Sequence, residues 1–74
     1  MNDRFSFEAF HDVRRGCEIT VNVVTDGSIA ASFRVEHGST LLVEEELVDS
    51  FDCVMAAREA GFSAAGTWMA VNWP

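Results

Sequence analysis

The chain contains no lysine, and its five arginines stand against twelve acidic residues, a formal net charge of −7 over 74 positions. A nucleic-acid backbone is held by converging positive charge, so no direct nucleic-acid partner is expected. No apolar run is long enough to span a bilayer, and no basic segment followed by an apolar one opens the chain. No membrane partner is therefore expected, and a cytoplasmic location is. The two cysteines, Cys17 and Cys53, lie far apart without a CxxC spacing, which favours two reduced thiols in or near the core. Nothing supplies the histidines or further cysteines of a tetrahedral zinc set, and no GxGxxG or GxxxxGK[ST] stretch offers a phosphate cradle. The expectation is no cofactor and no metal.

What is abundant is apolar bulk. Phe5, Phe7, Phe10, Phe33, Phe51, Phe62, Trp68 and Trp73 are too many large aromatics for a disordered acidic tail. They are also many for so short a chain to hide. One small domain over residues 1–74 is expected, with self-association covering what its own core leaves out.

Along the chain, Ser6 to Arg15 reads as a short helix, with Phe7, Phe10 and Val13 on one side, the arginines in the last turn and Gly16 as its stop. An extended Arg4 to Phe10 is the rival, because Phe5 and Phe7 also alternate. Cys17 to Thr25 and Ile29 to Glu36 alternate as strands, with Cys17, Ile19, Val21 and Val23 facing Ile29, Ala31, Phe33 and Val35. A two-residue Asp26-Gly27 turn puts those two rows on opposite faces. An odd loop, Thr25 to Gly27, with Gly27 left-handed, brings them together. After a turn at His37 to Ser39, Thr40 to Val43 reads as a third strand with Leu41 and Val43 inward, against the rival of one long helix from Leu41 to Ala60. Leu47, Val48, Phe51, Val54 and Met55 then give a helical stripe ending at Gly61 and Phe62, a C-terminal stop signal. Thr67 to Trp73 alternates with a tryptophan on each face, the pattern of a strand that is central or covered by a partner.

The fold expected is α+β, two helices on one face of a small antiparallel sheet, in the order α-β-β-β-α-β. The first five elements are similar in order to those of double-stranded-RNA-binding domains. The likeness is one of order alone, since acids replace the basic helix terminus those domains use.

The densest charge is the acidic set Glu44, Glu45, Glu46, Asp49 and Asp52. On a helix, Glu45, Asp49 and Asp52 share one face, suited to a basic protein partner. Trp68 and Trp73 are the expected interface aromatics. His11 and His37 act as bases only if a carboxylate or thiol comes within reach. The sequence thus favours a non-enzymatic, homodimeric interaction module that binds a basic protein. Its rivals are an inhibitor imitating DNA charge and a small enzyme with a histidine–carboxylate site.

Overall fold

The computed structural model describes residues 5–73, so Arg4, where the extended rival reading begins, lies outside it. Four strands, β1 Ser6–Arg14, β2 Cys17–Thr25, β3 Ile29–His37 and β4 Thr40–Glu46, form an antiparallel meander in sequence order. One helix, α1 Val54–Asn72, lies across one face. The expected order α-β-β-β-α-β is therefore corrected twice. Residues 6–14 are a strand and not a helix, and residues 67–72 belong to α1 and not to a final strand. The likeness in element order to double-stranded-RNA-binding domains goes with the first helix.

The first correction has a local cause. Arg15 and Gly16 both take positive φ, 53° and 80°. That is the geometry of a two-residue hairpin turn whose twist matches its strands. Gly16 turns the chain back and does not end a helix, and Arg14 pairs with Cys17. From there the register runs without a slip to Ser6 opposite Thr25, a regular nine-residue strand.

The core forms where β2 and β3 meet. Cys17, Ile19, Val21 and Val23 are buried in alternation, as are Ala31, Phe33 and Val35 across the sheet. The parity argument holds: an odd loop, Asp26 to Ser28 with Gly27 at φ 80°, places both rows on one face. The register is displaced by two residues from the expected one, with Val21 opposite Phe33 and not Ala31. A two-residue turn at Gly38 and Ser39 leads into β4, where a bulge follows. It leaves Leu42 without a partner and sets Val43 opposite Val35, so Val43 turns to the core while Leu41 turns outward.

The second correction concerns α1. Residues 47–53 are an irregular connector that touches β3 twice: the Leu47 amide donates to the Ala31 carbonyl at 2.9 Å and the Phe51 amide to that of Ile29 at 3.0 Å. Leu47, Phe51 and Val54 do pack against the core, as residues of the connector and of the first helical turn. The helix then runs straight through Gly61 and Gly66. Its buried stripe is Ala57, Gly61, Ala65 and Met69 at four-residue spacing, with Phe62 beside it. Small side chains there let the helix settle close to β2. A Cβ on Gly61 would lie within 3.0 Å of Val21 Cγ2 and closer still to Cγ1, so glycine is here a packing residue and not a stop.

Candidate functional site

Both ends of the sheet are edges, and they differ. Alternate positions of β4 and its continuation carry Glu44 and Glu46 on the outer face and Glu45 on the helix face, and the strand is broken by a bulge. Charge and irregularity of this kind discourage a further strand from adding. The β1 edge has no such irregularity, and its charged residues, Glu8, Asp12 and Arg14, all lie on the helix face. It is nine residues long, without proline or bulge, and no residue on it is buried.

The hairpin geometry fixes which main-chain groups β1 leaves open. A two-residue turn closes on a hydrogen-bonded pair, Arg14 with Cys17, and pairs then alternate in type along the strands. Arg14, Asp12, Phe10, Glu8 and Ser6 thus spend their amides and carbonyls on β2, whereas those of Val13, His11, Ala9 and Phe7 point away from the sheet. The side chains of that second set lie on the outer face, where Phe7 is 56% and Val13 67% exposed.

On the helix face, α1 lies over β2 and β3 and reaches β1 only through side chains such as Arg58 over Phe10. A groove of about 460 Å³ results, lined by His11, Asp12, Arg14, Arg58, Glu59, Phe62 and Ser63. Arg14 Nε donates to Asp12 at 3.0 Å. That bond and the Val13 amide, helped by the charges of Arg14 and Arg58, hold the Asp12 carboxyl below its usual range against an opposing desolvation. The guanidinium of Arg14 stands 5.5 Å from the Phe62 ring centre, and that of Arg58 stands 5.3 Å from Phe10 and 5.5 Å from Phe62. In so acidic a chain these arginines act on aromatic rings and one local carboxylate.

The expected acidic face is not one face. Glu44, Glu45 and Glu46 are on β4, Asp49 and Asp52 on the connector, and the helical spacing that grouped Glu45, Asp49 and Asp52 is absent because no helix runs there. All five are exposed, and among the described residues none makes an ion pair. Trp68 and Trp73 sit on and just after α1, half-buried and packed against the core. The Trp73 indole donates through Nε1 to the Arg15 carbonyl at 3.3 Å and lies tilted against the His37 ring, centres 4.9 Å apart. It thereby ties the end of the helix to the β1–β2 and β3–β4 turns together.

His11 Nδ1 is 3.2 Å from Thr20 Oγ1 on the outer face. Among the described residues no hydrogen bond joins either histidine to a carboxylate or a thiol. Cys17 is a core residue and Cys53, at the N-cap of α1, is exposed; both are free. No helix among the described residues is long and apolar enough to cross a membrane. The feature that sequence reasoning missed is the open edge of β1, whose one signal was the alternation of Phe5 and Phe7. No family model, curated protein or solved structure matches the chain.

Proposed function

We propose that this chain is a small non-enzymatic interaction module whose binding element is the edge of β1. It takes up an extended strand through main-chain hydrogen bonds. The observation that carries the reading is the contrast between the two edges, one bulged and lined with glutamates, the other long, regular and flanked by exposed Phe7 and Val13. Main-chain bonds supply attraction, and the alternate side chains Phe7, Ala9, His11 and Val13 supply selectivity. The two free thiols suit a reducing cytoplasm.

The exposed carboxylates of Glu44 to Glu46, Asp49 and Asp52, in no ion pair among the described residues, support a second contact, with a basic protein, at the opposite edge. An imitation of DNA is supported less, because these acids fall on both faces of β4 and on a connector, not in a double row on one surface.

Ala9→Pro tests the main reading. Ala9 is opposite Asn22 in a pair that makes no ladder bonds, so proline removes an outward donor and spares β1–β2 pairing. Tagged parent and Ala9→Pro proteins are compared for what they retain, whether a second copy or another protein, with thermal melting as the control for folding. Retention is expected to be lost in Ala9→Pro and kept in a Glu45→Lys, Asp49→Lys variant for any partner held by β1. Equal retention by parent and Ala9→Pro would overturn the reading.

A further inference from the structure

Taking β1 as the binding element, we infer that the strand it accepts is β1 of a second copy, antiparallel about a two-fold axis at Phe10. The open main-chain groups belong to Phe7, Ala9, His11 and Val13, a set symmetric about residue 10. Across such an axis Phe7 meets Val13 of the second copy and Ala9 meets its His11. Every open amide then faces an open carbonyl, and Ser6 meets Arg14, so the pairing uses the whole of Ser6–Arg14.

The side chains agree with the backbone. On the outer face, Phe7 and Val13, 56% and 67% exposed, cover one another twice. On the helix face the two Phe10 rings face each other in a pair without ladder bonds, where side chains come closest. The groove beside β1, open at the sheet edge in one chain, gains the strand of the second copy as its missing wall. The product is a continuous sheet carrying both helices on one side.

Two neighbouring registers compete, of which an axis at Ala9 leaves Val13 opposite Phe5, a residue outside β1. An axis at His11 sets Glu8 against Arg14 of the second copy, whereas the axis at Phe10 sets Glu8 against its Asp12. Exposed ion pairs contribute little. The shift to His11 forfeits both Phe7–Val13 contacts and leaves Phe7 opposite Arg15, a turn residue outside β1. Aromatic and apolar cross-strand pairs outweigh the exposed charges, so the axis stays at Phe10 with a mild carboxylate repulsion as its signature.

That signature makes the register testable with an exposed residue. Glu8→Lys turns two mildly repulsive cross-strand pairs, each tempered by the Arg14 that holds Asp12, into attractive ones, and the dimer is expected to tighten by about three- to fivefold. Sedimentation equilibrium over a dilution series reads this directly, with thermal melting to confirm that the variant folds. Raising salt is expected to tighten the parent dimer slightly, or leave it unchanged, by screening Glu8 from Asp12. Weakening by Glu8→Lys would move the axis to His11 and overturn the register. Parent and variant both monomeric at every concentration would overturn the second copy as partner. Loss of another retained protein in Ala9→Pro would, in that event, leave the reading of β1 as the binding element standing.

Discussion

Gly61→Ala is expected to lower stability by about 2 kcal/mol, although alanine is the better helix former. Alanine gains about 1 kcal/mol over glycine in a helix interior from propensity alone. The added methyl, however, meets the β-branched Val21 on a central strand, with Cγ2 at 3.0 Å and Cγ1 nearer. Val21 is fully buried in the row of β2, and its β-branched side chain is stiff in a close-packed core. The helix must lift, and contacts along Ala57, Ala65 and Met69 loosen with it. Gly66 supplies the contrast. A Cβ there meets only Arg14 Nη1 at 3.5 Å, an ordinary contact, so Gly66→Ala is expected to raise stability by about 0.5–1 kcal/mol. Urea midpoints of the two variants therefore move in opposite directions. Movement in the same direction would mean that α1 does not rest on Val21.

Trp73→Ala is expected to cost about 2 kcal/mol, from the lost indole area, the ring contact and a hydrogen bond, discounted because the side chain is only partly buried. Its ring joins His37 and the Arg15 carbonyl, so one residue holds two turns against the end of the helix. Trp73→Phe keeps an aromatic face for His37 and drops the indole donor, and is expected to lose about 1 kcal/mol. Thermal unfolding separates the three proteins in that order. An alanine variant as stable as the parent would show that the end of the chain is not fastened to the sheet.

The centre of the sheet was legible because several signals agreed there. β2 and β3 alternate cleanly, they are rich in β-branched residues, and parity around Gly27 required an odd loop. β1 was not, because an edge strand that the helix does not lie over has no face that must be apolar. Its inner positions are Glu8, Phe10, Asp12 and Arg14, so the period-two pattern dissolves, and Phe7, Phe10 and Val13 then mimic a helical face. The position of α1 was obscured by glycine read as punctuation. Ala57, Gly61, Ala65 and Met69 were the true stripe, and its members were mostly too small to register as hydrophobic. In TWMAVNW the alternation was accidental, since Met69 is buried while Val71, two residues on, is exposed. For the candidate site, composition gave the acids and the excess of aromatics. Which edge stayed open depended on strand order, and no single stretch of residues carries that.

Amide hydrogen exchange, resolved residue by residue at low and high protein concentration, tests the open edge most directly. At high concentration the amides of Phe7, Ala9, His11 and Val13 are expected to become protected in alternation, while those of Glu44 to Glu46 are not. Exchange along β1 that is unchanged by concentration and by any retained partner, or protection arising on β4 instead, would contradict the account.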